Sequence, residues 1–171
     1  MGSRSARIFV TVGSTGFDEL IAQVLSPAFL HECVRLGYSE LVVQYGASRA
    51  AFDAFQGSQG ITVTGYAYKR EVTSDMEAAS LVISHAGSGT ILECLTLGRP
   101  LIAVVNEDLM DNHQDELATA LADDHVLIKA TCSNLQSTLR DQRYNFLVPL
   151  EAPDQTALAG ILHEELLVRR E

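Results

Sequence analysis

The sequence predicts a doubly wound, parallel α/β sheet, and three observations lead there. Six short apolar runs recur along the chain, most of them continuous rather than alternating, as strands covered on both faces require. Helical patterns separate the runs, and glycine or proline bounds most of them. Such alternation builds a parallel sheet with helices on both sides.

The elements follow in order. "RIFVTVG" (7–13) reads as the first strand, and residues 17–36 carry a helical pattern. "ELVVQYG" (40–46) and a helix at 48–56 come next, then "GITVTGY" (60–66) with a helix at 74–79. "SLVISHAG" (80–87) leads into a helix at 88–97, and "PLIAVV" (100–105) into one at 112–122. "HVLIKA" (125–130) and a helix at 133–141 complete the series. The runs specify the class of the sheet and not the order of its strands.

Residues 6–143 therefore read as one α/β domain, and 144–171 as a connector with a C-terminal helix. "NFLVPLEAP" carries two prolines and reads as extended. Beyond it, Leu158, Ile161, Leu162 and Leu166 share one helical face, Asp154 suits the N-cap, and Arg169 and Arg170 suit the C-terminal dipole. That helix either packs back on its own sheet or, following a linker outside the repeat, docks on another protein.

With 171 residues, 47% of them hydrophobic, the chain can bury one domain-sized core. A net charge of -10 repels nucleic acid and anionic membranes, so nucleic-acid binding is not expected. No stretch reaches the roughly 20 apolar residues of a membrane span, and the first strand begins before any signal-peptide core. Cys33, Cys94 and Cys132 form no CxxC pair, and Cys94, in an apolar helical run, reads as a buried structural thiol. Together these features predict a cytosolic protein in a reducing compartment.

In an open α/β sheet, ligands bind where strands end and helices begin. Three such ends are rich in glycine and hydroxyls: Gly13, Ser14, Thr15 and Gly16; "QYGAS" at 44–48; and Gly87, Ser88, Gly89 and Thr90. Glycines allow a sharp bend and close backbone approach, and the next helix offers free N–H groups to an anion. Such loops suit a phosphate or a pyrophosphate. Better-known glycine loops do not fit. No Gly-Lys pair exists for a P-loop, neither glycine loop has GxGxxG spacing, and Ala86 stands where a nucleophile elbow needs glycine.

Glu93 follows the third loop, among Ile91, Leu92 and Leu95. It reads either as an acceptor for a ribose diol or as an acid that caps the helix. Past the fifth strand, Asn106, Asp111, Asn112, His113, Gln114 and Glu116 gather near the start of a helix at the same sheet edge. Neutral donors and acceptors there fit sugar hydroxyls, or simply a solvated, capped helix. No HxxxH or paired-carboxylate spacing points to a metal, so none is expected.

The stretch from His85 to Ala118 resembles the C-terminal, nucleotide-sugar-binding half of GT-B glycosyltransferases related to the bacterial enzyme that adds N-acetylglucosamine to the peptidoglycan lipid precursor. "VTVGSTGFDELI", "LVVQYGAS", "LVISHAGSGTILE" and "NHQDELA" together resemble the catalytic subunits of the eukaryotic UDP-N-acetylglucosamine transferase that forms dolichol-diphosphate-chitobiose. The resemblance implies a single donor-binding half of a Rossmann-like GT-B enzyme. UDP-GlcNAc is then the donor substrate and no cofactor is needed. Gly13, Ser14 and Thr15 would lie by the diphosphate, with Gly87, Ser88, Gly89 and Thr90 closing on it. Glu93 would hold the ribose, and uracil would rest near Tyr66 to Tyr68. His113 and Gln114 stand where the bacterial relatives carry a glutamine pair at the donor sugar, and His113 departs from that pair. With Glu93 they form the expected catalytic set, Asn112 joining Gln114 in donor binding. The resemblance also implies a membrane-anchored subunit, reached through the helix at 154–170, that supplies the acceptor half for a dolichol-linked substrate. The chain would then work at the cytosolic face of the endoplasmic reticulum. The alternative is a non-catalytic, UDP-sugar-binding scaffold subunit.

Overall fold

A computed structural model describes residues 6–57, 60–107 and 112–150, and the side chains of Asn112 and His113 lie outside that description. The expected C-terminal helix at 154–170 falls outside the described residues. Among the described residues no helix is long and apolar enough to cross a membrane.

The chain runs β1 (Arg7–Thr11), α1 (Asp18–Val24), α2 (Pro27–Arg35), β2 (Glu40–Gln44), α3 (Arg49–Asp53), β3 (Thr62–Tyr66), α4 (Thr73–Ala78) and β4 (Leu81–His85). It continues through α5 (Ser88–Thr96), β5 (Leu101–Val105), α6 (Asn112–Asp123), β6 (Ile128–Thr131) and α7 (Leu135–Asp141), ending in a 3-10 turn at Arg143–Phe146. The six strands are parallel, in the order β3-β2-β1-β4-β5-β6. The expected fold class holds.

The strand period of two sorts the core into two layers. Ile8 and Val10 face one side of β1, where Leu20, Phe29, Leu30 and Leu135 from α1, α2 and α7 cover them. Phe9 faces the other side, with Met76, Ile91, Cys94 and Ala118 from α4, α5 and α6. Ile8, Phe9, Phe29 and Ile91 are fully buried, each worth about 1.5–3 kcal/mol against exposure. Cys94 is buried as expected, and burial pushes its thiol up to about 12, so it is chemically inert.

Several boundaries differ from the sequence expectation, and three have a consequence or a local cause. The pattern at 17–36 is two helices, because Ser26 caps a new one through its Oγ, which accepts the Phe29 N–H at 3.3 Å, with Pro27 at the first helical position. β4 stops at His85 rather than Gly87, so the glycine loop lies wholly outside the sheet. β6 begins at Ile128, since His125 adopts φ 58 and Val126 and Leu127 turn into the core first. Tyr144 and Leu147 also pack on the domain, the Tyr144 hydroxyl lying 3.2 Å from that of Tyr38. Buried Glu32 ties α2 to α7, accepting from Arg35 and lying 3.5 Å from Arg140. The Arg35 hydrogen bond outweighs burial and holds the Glu32 carboxyl below the usual carboxylate range.

The connections set the site. β1 passes its chain toward β2 on one side, whereas β4 passes its chain toward β5 on the other. Between the carboxyl ends of β1 and β4 a crevice must open, because the loops leaving them diverge.

Candidate functional site

That crevice is a cleft of about 600 Å³. Gly13, Ser14, Thr15 and Gly16 line one wall, and Gly87, Ser88, Gly89 and Thr90 line the wall opposite. The two glycine loops, 70-odd residues apart in the chain, thus open on one space. Gly13 has φ +67 and Gly16 φ +89, so both turns need a residue free to enter the left-handed region. Gly87 is the N-cap of α5 and no side chain caps the helix, which leaves its first-turn N–H groups facing the cleft.

His85, at the tip of β4, sits between the two loops. A Cβ placed on Gly13 would lie 3.1 Å from its Cε1, and one on Gly87 2.5 Å from its Nε2. The ring therefore touches both glycines, and neither position has room for a side chain. Nδ1 lies 3.4 Å from the Thr11 carbonyl oxygen, which only accepts, so the ring hydrogen belongs on Nδ1. Burial lowers the His85 pKa below its ordinary 6.5, and the Thr11 contact opposes this only partly. The folded state thus binds fewer protons than the unfolded chain. Its contribution to stability is complete above pH 6.5 and is lost as pH falls through that value. Urea midpoints compared at pH 8, 6.5 and 5 should show His85→Asn losing less stability than wild type over that interval. An unchanged pH dependence would contradict the burial argument.

The second loop acts as a wedge. Gly46, at φ +55, packs its α-carbon on loop one, where an added Cβ would lie 2.5 Å from the Gly13 oxygen and 3.0 Å from the Gly16 nitrogen. Its own N–H donates to the Ala67 carbonyl at 2.7 Å. Ser48 adds a buried tie, its Oγ accepting the Phe17 N–H at 2.7 Å. Loop one is therefore held from behind by backbone and a buried hydroxyl.

Glu93 lines the cleft from the second turn of α5, and the Thr73 hydroxyl at the start of α4 donates to its Oε1 at 2.6 Å. A capping acid belongs three residues after the N-cap, where Thr90 stands. Glu93 is therefore not a capping-box acid, which leaves the helix dipole as the structural alternative to a ribose acceptor. Gln114 and Asn106 also line the same cleft. Asn112 and His113 open α6 beside them, and their side chains lie outside the described residues.

Tyr66 is not brought to the cleft with the others. Its hydroxyl donates to Asp75 Oδ2 at 2.5 Å, and Lys69 Nζ, 2.9 Å from the same oxygen, lies 4.1 Å above the ring centroid. Burial raises the Asp75 carboxyl, but the Tyr66 and Lys69 hydrogen bonds outweigh it and leave Asp75 below its usual range. The residues that line the cleft from this loop are Tyr68, Lys69, Arg70 and Val72. Arg70 pairs with no carboxylate among the described residues, so a cation faces the cleft of an acidic chain. Sequence reasoning named neither cation, since a charged loop outside a motif carries no spacing signal.

The chain and its fold also have counterparts elsewhere. The glycosyltransferase family 28 C-terminal domain model matches residues 7–163. The human UDP-N-acetylglucosamine transferase subunit ALG13 is 45% identical over 94% of this chain, which spans 15% of that relative's length. The ALG13 subunit of Yarrowia lipolytica is 35% identical, over 92% of this chain and 83% of its own length. An ALG13 solution structure superposes with a TM-score of 0.73 at 27% identity, covering 92% of this chain and 95% of that one. MurG of Acinetobacter baumannii shares the fold, at TM-score 0.64 and 22% identity, over 82% of this chain but 41% of its own. The single sheet described here thus matches one half of a two-lobed, Rossmann-like GT-B architecture. On the family match and these identities, the chain belongs to the glycosyltransferase family 28 C-terminal domain family and is a homologue of the ALG13 subunits.

Proposed function

We propose that this chain is the donor-binding, catalytic subunit of an inverting transferase that moves N-acetylglucosamine from UDP-GlcNAc to dolichol-diphosphate-GlcNAc. The observation that carries the reading is the pair of glycine loops at the ends of β1 and β4, opening on one cleft with Glu93 on its wall. The donor diphosphate lies between the loops, against the first-turn amides of α5 and the hydroxyls of Ser14, Thr15, Ser88 and Thr90. Glu93 accepts from the ribose diol. The base lies along Tyr68 to Arg70, and the sugar reaches toward Asn106 and Gln114, beside Asn112 and His113.

In the transfer, an acceptor sugar hydroxyl attacks the anomeric carbon from the face opposite UDP, and the C–O bond to the diphosphate breaks. Negative charge grows on the leaving diphosphate. Fixed amide dipoles and hydroxyls at two loops stabilise it where it forms, an electrostatic contribution of several kcal/mol in sites of this kind. His85, walled in by Gly13 and Gly87, belongs to the diphosphate end rather than beside the attacking hydroxyl. A base for that hydroxyl comes from His113, from Asp18 at the neighbouring lobe of the cleft, or from the acceptor half. The acceptor half is a membrane-anchored partner that recruits this chain to the cytosolic face of the endoplasmic reticulum.

The test is reconstitution. The chain combined with its membrane subunit should transfer labelled GlcNAc from UDP-GlcNAc to the dolichol-linked acceptor, and Glu93→Ala should cut that transfer roughly 30- to 150-fold at micromolar donor. Transfer that survives Glu93→Ala with unchanged KM would favour the scaffold alternative.

A further inference from the structure

One buried amide joins two walls of the cleft. Gln44, the last residue of β2, is 3% exposed, and both ends of its carboxamide are engaged. Its Nε2 donates to the Thr11 hydroxyl at 2.9 Å, and its Oε1 accepts the backbone N–H of Lys69 at 3.0 Å. The same Thr11 hydroxyl, 1% exposed, also accepts the N–H of Gly13 at 3.2 Å. A continuous chain of hydrogen bonds thus runs from the first amide of the diphosphate loop, through Thr11 and Gln44, to the loop carrying Tyr68, Lys69 and Arg70.

Burying a carboxamide is costly unless each polar atom is matched, and an apolar side chain of the same size would fill the space at no such cost. Here one partner, Thr11, is the residue paired with Gln44 across the ends of β1 and β2, and its hydroxyl carries the bond on to Gly13; the other, Lys69, lies on the loop after β3. The Gly13 loop and the Lys69 loop both line the cleft. A nucleoside diphosphate in the proposed pose must touch both at once. Separation of the loops then decides whether base and diphosphate bind as one ligand or as two fragments.

We infer that Gln44 is a positioning residue that fixes the distance between the diphosphate loop and the base loop. Although Gln44 lines the cleft, both ends of its carboxamide are already engaged within the protein. Its effect lies in preorganisation, so it adds affinity for the intact nucleotide and little for either piece. This inference rests on the donor-site reading above.

The test titrates the isotopically labelled 171-residue chain with UDP, uridine and pyrophosphate, following amide shifts. Gln44→Leu should weaken UDP at least tenfold while uridine and pyrophosphate stay within about twofold of wild type. Thr11→Val, which cuts the chain of hydrogen bonds at its other end, should reproduce that pattern. Thr11→Ser, which keeps the hydroxyl, should restore UDP binding, and Gln44→Leu with Thr11→Val should be no worse than either alone. Equal loss for all three ligands, or no loss for any, overturns the inference, since a merely structural amide would behave so. If Gln44→Leu fails to fold, the Thr11 pair decides by the same criteria. A wild-type chain that gives no response to UDP removes the donor-site reading, and the positioning role falls with it. A wild type that binds UDP beside variants that bind it equally removes the positioning role alone.

Discussion

Gly46→Val is expected to abolish useful nucleotide binding while leaving a folded, weakened protein. Two costs act at this position. The backbone sits at φ +55, where a β-branched residue is strained by about 1–2 kcal/mol. The new Cβ would also stand 2.5 Å from the Gly13 carbonyl oxygen and 3.1 Å from the Ser14 carbonyl carbon. Those obstacles are main-chain atoms, which cannot swing aside as a side-chain tip can. Loop one must therefore shift, and it is the loop that carries Gly13, Ser14 and Thr15. A displacement near 1 Å at such a loop costs roughly a hundredfold in function. The control is Gly37→Ala, at φ +88 with nothing within 4 Å of its added Cβ. It should lose about 1 kcal/mol in a urea titration through strain alone and bind UDP as wild type does. If Gly46→Val binds UDP normally, the two loops are not in the contact described.

The contrast between these two glycines marks what sequence could and could not say. Both stand after an apolar run or helix, and nothing local distinguishes a glycine that opens a turn from one pressed on a neighbouring loop. The fold class was legible because continuous apolar runs such as Leu81–Ile83 and Leu101–Val105 report burial on both faces, a local property. Strand order was not, because it depends on which runs meet across the chain. The break at Ser26-Pro27 was legible in principle, since an N-cap serine followed by proline announces a helix start, yet the longer periodic pattern concealed it.

The site shows the same division. Gly13, Gly87, Ser88 and Thr90 announced themselves through strand–glycine–helix order, and Glu93 through its place in the next helix. Gln44 and Thr73 had no such signal. Their meaning lies in partners at Lys69 and Thr11 for one and Glu93 for the other, 20 to 33 residues distant. Tyr66 shows the limit of a resemblance, which set the uracil near Tyr66 to Tyr68: as the last residue of β3 Tyr66 turns its hydroxyl to Asp75 on α4, while Tyr68 in the loop beyond lines the cleft.

Glu93→Ala carries the other large expected effect, and its ligand dependence makes it a test of chemistry rather than of folding. A carboxylate accepting from a ribose diol makes charge-assisted hydrogen bonds, each worth about 1.5–3 kcal/mol. Removing it should weaken UDP by about 2–3 kcal/mol, some 30- to 150-fold. The same substitution should hardly change the affinity of 2′,3′-dideoxy-UDP, which has no diol to lose. Thr73 sharpens the argument, because its hydroxyl holds Oε1 at 2.6 Å and so restrains a carboxylate that lines the cleft. Thr73→Val should weaken UDP by up to about tenfold, by letting the carboxylate turn, and should leave the dideoxy ligand unaffected. Combined with Glu93→Ala it should add nothing, since it acts only through that carboxylate. A calorimetric titration of the four proteins with the two ligands reads every term. If Glu93→Ala weakens both ligands alike, the carboxylate serves the shape of the cleft and not the sugar ring of the nucleoside.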